Sequence, residues 1–222
     1  MKKIAVLILT AVLLLAFTGS SLANSVYLDY LIEGETKTDP GSAKFDSEKI
    51  SLGGNFRFND TWSVGGEFAT GKIKLNDRSD ADITSYKIKG GFAVINDEGI
   101  RVDLTAGYYR NEWDYDTKAG IGDLDSIDSY DSYLVGADAE FNLSNNLVIN
   151  AGIEYGISGK CKLENGGDLD LDSLLTYKIG ISYYFTEAIG LSLGYRSTAF
   201  ELKDSDDKIT TSGCIAGVTY RF

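Results

Sequence analysis

Charged side chains recur at alternate positions along much of this chain, and they are the first candidates for a functional role. Carboxylates brought together could exchange protons or bind a cation, whereas acids and bases in balance would form salt bridges. Seven acids and eight bases share one predicted face: Asp29, Glu33, Glu67, Asp103, Asp138, Glu140, Glu154, Lys49, Arg57, Lys87, Lys89, Arg101, Lys178, Arg196 and Arg221. This balance favours a salt-bridged network, since a pore lining would more often favour one sign.

Catalysis has little support in the composition. The chain contains no histidine, which excludes Ser–His–Asp sites, His-assisted carboxylate sites and zinc sites built on imidazole. Because histidine is the commonest acid–base group, the sequence predicts that the chain is not an enzyme and that it carries no cofactor.

A second acidic set is concentrated in polar segments. It comprises Asp114, Asp116, Asp123, Asp125, Asp128, Asp168, Asp170, Asp172, Asp204, Asp206 and Asp207. Alternate aspartates are typical of calcium ligands, but Asp114 and Asp116 lack the glycine and the distal glutamate of an EF-hand loop. Asp168, Asp170 and Asp172 are therefore weak metal candidates, and solvated acidic loops are the simpler interpretation.

Alternation of polar and apolar residues also predicts the elements that position these charges. A period of two indicates strands, and ten such runs occur, at 26–34, 45–58, 62–74, 83–95, 100–111, 130–142, 147–158, 173–185, 189–202 and 209–222. Tight polar turns alternate with longer polar connections at 35–44, 75–82, 112–129, 159–172 and 203–208. Short turns at one end and long loops at the other are typical of outer-membrane barrels.

The face opposite the charges is apolar and carries two sets of aromatic residues. The first set lies beside the turns and consists of Phe58, Trp62, Phe141, Phe185 and Phe222. The second set lies about eight residues further along the strands and consists of Tyr86, Tyr108, Tyr133, Tyr155 and Tyr177. The distance between the two sets is close to that between the aromatic girdles of a membrane barrel. A sheet with an apolar outer face must close in lipid. The sequence therefore predicts an all-β fold, a transmembrane antiparallel up-and-down β-barrel of ten strands. Eight strands, or a soluble sandwich, are the alternatives.

Two pairs of opposite charges are expected inside this barrel. When positions along the strands are counted from the turns, Glu154 and Lys178 lie at the same height on neighbouring strands. Glu67 and Lys89 lie at roughly the same height on their neighbouring strands. Such pairs would attract in a narrow lumen. The preferred interpretation is a salt-bridged plug, and the alternative is a charged constriction that passes water and small solutes.

The first 23 residues read as a signal peptide. Lys2 and Lys3 precede an apolar run from Ile4 to Phe17 and a small-residue site at Ser21 and Ala23. The run is short for a membrane anchor, which is the alternative. Residues 24–222 are then the barrel domain. Its 19 basic residues (21 less the two signal lysines) and 33 acidic residues give a net charge of −14, which argues against nucleic acid as partner.

The segments "GVTYRF", which closes the chain, and "YFTEAIGLSLGYR", Tyr184 to Arg196, resemble the small OmpA/OmpX-type and opacity-type barrels of Gram-negative outer membranes. The resemblance implies a monomer in outer-membrane lipid and lipopolysaccharide, exported across the inner membrane. It also implies an assembly machinery that reads Tyr220 and Phe222, and a structural or surface-binding role with acidic extracellular loops. Those families usually have eight strands. Ten strands resemble the omptin proteases, whose catalytic histidine has no counterpart here.

Overall fold

The computed structural model describes residues 24–39, 43–76, 79–115, 127–163, 167–203 and 208–222 of the chain. The predicted signal peptide lies outside these residues, as do Asp116, Asp123, Asp125, Asp204, Asp206 and Asp207. Within the described ranges, no helix is long and apolar enough to cross a membrane.

In the described part of the chain, ten antiparallel strands form one closed barrel, in which each strand pairs with its neighbours in sequence and the last strand pairs with the first. The strands are β1 (Ser25–Asp39), β2 (Ala43–Arg57), β3 (Trp62–Asn76), β4 (Ser79–Asp97), β5 (Ile100–Tyr115), β6 (Ile127–Ser144), β7 (Leu147–Leu163), β8 (Asp168–Tyr184), β9 (Ile189–Leu202) and β10 (Lys208–Arg221). The predicted fold class is confirmed with ten strands.

The strands are longer than predicted and occupy much of what the sequence indicated as loops. Between strands there remain residues 40–42, 77–78, 116–126, 164–167 and 203–207 at one end, called here the loop end. The opposite, turn end has residues 58–61, 98–99, 145–146 and 185–188. At about 3.3 Å per residue and a tilt of about 40°, the 17 residues of β7 rise about 43 Å, against an apolar band of about 25 Å. The strands therefore continue beyond the membrane at the loop end.

The outer face is apolar, as predicted. Leu193 and Tyr133 are each 62% exposed, which suits contact with lipid rather than with water. In the girdle near the turns, Trp62 packs edge-on against Phe92 with ring centroids 5.0 Å apart. In the second girdle, the ring centroids of Tyr108 and Tyr133 lie 5.7 Å apart. These exposed apolar faces rule out the soluble sandwich, which would have buried them.

Inside the barrel, the half of the lumen near the loop end is filled by apolar side chains, which the sequence analysis did not predict. We call this cluster the apolar plug. It consists of Phe45, Ile73, Ala81, Ile83, Trp113, Ile127, Tyr130, Leu134, Cys161, Leu171, Leu174, Phe200, Leu202 and Ile209. Phe200 is 2% exposed, and its ring centroid lies 4.3 Å from that of Tyr130. The charged residues lie in the other half of the lumen, towards the turn end.

Candidate functional site

The half of the lumen between the apolar plug and the turn end contains the candidate site, which we call the ionic layer. It consists of Asp29, Arg57, Glu67, Lys87, Lys89, Arg101, Asp103, Asp138, Glu140, Glu154, Lys178, Arg196 and Arg221. Thirteen of the fifteen charged residues that the sequence analysis placed on the inward face belong to this set, because each has inward parity on its strand, and Glu33 and Lys49 do not belong to it.

Glu67 on β3 forms one of the buried ion pairs of the layer. Arg196, on β9 across the barrel, donates two hydrogen bonds to it, at 2.9 Å to Oε1 and 2.8 Å to Oε2. The Tyr27 hydroxyl donates a third, at 2.7 Å to Oε2. The Glu67 side chain is 6% exposed, so its charge is compensated by Arg196 and by Tyr27 rather than by water.

Glu154 on β7 is the centre of a second group. Lys87 Nζ lies 3.0 Å from its Oε2, and Lys89 Nζ lies 3.0 Å from its Oε1. Lys89 also contacts Asp138 on β6, while Lys178 Nζ is 3.9 Å from Asp138 Oδ1. Two lysines therefore share Glu154, and Lys178 has the longest ion-pair distance in this group.

The expected pairs Glu154–Lys178 and Glu67–Lys89 are not formed. Across the strand pairs, Glu154 faces Thr176 and Lys178 faces Gly152, so the predicted register was wrong by two residues. Glu67 faces Lys87 on β4, yet it bonds to Arg196 across the lumen. In so narrow a barrel, long basic side chains reach the opposite wall as readily as the adjacent strand.

Glu33 was also placed wrongly, because it is exposed and does not face the lumen. It has a φ of 50° at a bulge between β1 and its neighbours. A bulge adds one residue to one strand and so reverses which face the following side chains occupy. The alternation of the sequence carries no sign of this extra residue.

Arginines surround the turn end of the layer. Arg57 Nη2 lies 3.0 Å from Glu140 Oε2 across the barrel, and Arg101 Nε lies 2.9 Å from Asp103 Oδ1. Arg101 also donates to the carbonyl of Asp60 at 3.0 Å. The guanidinium carbon of Arg221 lies 3.8 Å above the centre of the Tyr184 ring, a cation–π contact. The guanidinium groups of Arg57, Arg101 and Arg221 therefore lie at the opening of the lumen at the turn end.

A cavity of about 190 Å³ lies among these side chains. Inward glycines leave room for it. A Cβ at Gly152 would come within 2.6 Å of Asp138 Oδ1 and 3.0 Å of Lys178 Cε, and one at Gly217 would clash with the Asp29 carboxylate. Small residues at these two positions therefore allow large charged groups to face the lumen.

The remaining candidates lie outside the lumen. Tyr220 is exposed on the outer face and stacks on Phe222, with ring centroids 5.9 Å apart. Asp168, Asp170 and Asp172 are exposed on β8 rather than in a loop, and Asp170 Oδ2 lies 4.0 Å from Lys203 Nζ. Alternate residues of a strand are about 7 Å apart, so these carboxylates do not converge. Among the described residues, no group of three or more His, Cys, Asp or Glu side chains could hold a metal ion.

Both cysteines are free thiols. Cys214 is exposed on the outer face. Cys161 falls in the predicted loop 159–172, but it lies on β7 and is fully buried in the apolar plug. The loop aspartates Asp114 and Asp128 likewise lie on strands, β5 and β6, with exposed side chains.

Comparison with known proteins bears on the fold. The model of the outer membrane protein beta-barrel domain matches residues 4–175. The outer membrane protease OmpT from Escherichia coli is similar in structure, with a TM-score of 0.53 and 13% identity over 93% of this chain and 99% of that one. The translocator domain of the autotransporter NalP from Neisseria meningitidis has a TM-score of 0.50 and 12% identity over 100% and 96%. The neisserial surface protein A has a TM-score of 0.40 and 16% identity over 90% and 96%. No curated protein matches the sequence.

These similarities correct one prediction. The sequence analysis predicted that the chain is not an enzyme. That prediction is wrong, because the barrel shares its fold with an outer membrane protease. At 13% identity the likeness shows the fold alone, so it assigns no catalytic residue to this chain either. The lack of histidine excludes particular sites, not catalysis by this fold.

Proposed function

This chain belongs to the outer membrane protein beta-barrel domain family, and we propose from that premise that it is a closed barrel with a structural or surface-binding role. It resides in the outer membrane of a Gram-negative bacterium, as its family implies. In this proposal the lumen conducts no solute, and ligands meet the barrel at its loop end.

The apolar plug is the observation that carries this proposal. Its side chains come from β2 to β10, and Ile73 and Leu174 are each 1% exposed. An apolar constriction excludes water even before it is sterically closed, because water in contact with apolar walls gives up hydrogen bonds. A plug of packed side chains is therefore a stronger barrier to ions than the salt bridges alone.

The ionic layer supports the same conclusion. Its salt bridges join β3 to β9, β4 to β7 and β2 to β6, so they tie opposite walls of the barrel together. Charges held in such pairs and surrounded by protein are only partly hydrated. A conducting pore would leave its charges facing a water-filled path.

Conductance of the refolded full chain in planar bilayers tests the closed barrel. We expect no steady conductance, because both the apolar plug and the cross-barrel salt bridges interrupt a water path. Large, stable current steps from wild-type protein would contradict the proposal and would make a narrow channel for water and small solutes the better assignment.

The loop end is proposed to face the cell exterior. Bacterial barrels of this class have short periplasmic turns, and the loop end carries exposed acids such as Asp114, Asp128 and Asp170. Acids there could bridge lipopolysaccharide through divalent ions. The turn end, with Asn24 and Phe222 paired to each other, would face the periplasm. The barrel would be a monomer inserted by the outer-membrane assembly machinery, with Tyr220 and Phe222 as its signal.

Labelling of single cysteines on intact cells tests this orientation. Asp128→Cys near the loop end and Asp60→Cys in a turn are a matched pair, since both replace an exposed aspartate. In a background with Cys161 and Cys214 replaced by alanine, a membrane-impermeant maleimide should label position 128 and should reach position 60 only after the outer membrane is permeabilised. The reverse pattern would show that the barrel is inserted the other way round.

A further inference from the structure

The charges that surround the cavity of the ionic layer do not cancel. Among the described residues, seven basic and five acidic side chains line it, and Glu154, which contacts Lys87 and Lys89, adds a sixth acid. One positive charge is therefore in excess. The chain as a whole has a net charge of −12, so this positive region lies inside an acidic protein.

Lys178 carries much of that excess. Its nearest acid among the described residues is Asp138 at 3.9 Å, beyond hydrogen-bond distance, and Asp138 is already in close contact with Lys89. The Lys178 side chain lines the cavity and is 31% exposed. Its ammonium group therefore has donors available to a group in the cavity.

Two arginines have unused donors as well. Arg57 Nε and Arg101 Nη2 are buried and have no hydrogen-bond partner among the described residues, and the same holds for the carboxylate oxygens Asp103 Oδ1 and Asp138 Oδ1. Both arginines line the cavity, and Arg101 is 6% exposed. Buried donors of this kind are rare in proteins, and each calls for an explanation. Guanidinium groups suit planar carboxylates and phosphate oxygens in particular.

We propose that this cavity is a binding site for a small oxyanion, of the phosphate or short carboxylate class, that enters from the turn end. The size is suitable, since about 190 Å³ compares with about 30 Å³ for one water molecule in the liquid. Lys178 supplies the main charge, and Arg57, Arg101 and Arg221 attract the anion at the opening. The proposal rests on the closed barrel in one respect, because the apolar plug makes the turn end the route of access.

Calorimetric titration of inorganic phosphate into the refolded full chain, in zwitterionic detergent micelles, tests the site. We expect saturable binding of one phosphate per chain. Lys178→Gln should weaken it about tenfold, equivalent to about 1.4 kcal/mol. Asp138→Asn should strengthen it several-fold by removing a competing carboxylate, a gain that a misfolded protein would not give. Lys208→Gln, at a lysine near the loop end whose side chain is 44% exposed, is the matched control and should change nothing.

Three results would overturn the site: no saturable binding by wild type, equal binding by wild type and Lys178→Gln, or equal weakening by Lys208→Gln. The same titration with acetate shows whether carboxylates bind at the site that binds phosphate. Bilayer conductance reports separately on the closed barrel. Steady wild-type current together with phosphate binding would reject the plug and keep the site, whereas no current and no binding would reject the site alone.

Discussion

Replacing Arg196 by methionine should lower the free energy of unfolding by about 3 kcal/mol or more, the range for breaking a buried ion pair. The change leaves the Glu67 carboxylate buried without the two hydrogen bonds that Arg196 donates. Tyr27 would remain, with one hydrogen bond at 2.7 Å. Urea unfolding of the refolded barrel in detergent or lipid vesicles measures the loss.

A double-mutant cycle separates this pair from a general loss of packing. Glu67→Gln together with Arg196→Met removes both charges and should recover a large part of the stability. Lys208→Met is the control, because the side chains of its pair with Glu201, at 2.7 Å, are 44% and 37% exposed, and pairs in contact with solvent are worth about 1 kcal/mol at most. Equal losses at positions 196 and 208, or a coupling energy near zero, would show that the ionic layer does not hold the barrel together.

Replacing Phe200 by alanine should cost about 3–5 kcal/mol, the usual range for truncating a buried phenylalanine. The ring packs against Tyr130 within the apolar plug. The same change should raise the conductance of the barrel, because it removes a large aromatic side chain from the constriction. Unfolding in urea and current recordings in planar bilayers measure the two effects on one protein.

Phe185→Ala is the matched control for this change. Phe185 is 53% exposed on the outer face near the turn end, so its truncation leaves the lumen intact. We expect a smaller loss of stability and no current. If Phe200→Ala destabilised the barrel but left it without conductance, the ionic layer alone would be sufficient to close the lumen. If neither stability nor conductance changed, the plug would have no barrier role.

The number of strands, the closure of the barrel and the face that contacts lipid could be predicted from the sequence. They follow from the alternation of apolar and polar side chains, which lipid imposes on every membrane-spanning strand. Leu193, Tyr133 and Trp62 face outwards for this reason. The inward charges followed from the same parity, except Glu33 at the bulge in β1. The salt-bridge partners of these charges could not be predicted, since they depend on register, on strand tilt and on how far Arg196 or Lys89 reaches across the lumen.

The apolar plug was missed because the polarity of the two faces reverses towards the loop end. On β3, Ile73 faces inwards between exposed Lys72 and Lys74, and on β4, Ile83 faces inwards beside exposed Asp82. Water replaces lipid around these segments, so apolar side chains face the interior of the barrel there and polar side chains face outwards. A polar outer face was mistaken for loop, although the alternation itself continued and was the signal that could have found both the plug and the longer strands.

The salt bridges that cross the lumen have a consequence for kinetics. Each joins strands that are far apart along the chain, such as β3 with β9 and β4 with β7, so no isolated hairpin contains one. Contacts of long sequence separation form late in folding. Interactions absent from the transition state slow unfolding without speeding folding. The ionic layer should therefore set the lifetime of the inserted barrel rather than its rate of insertion.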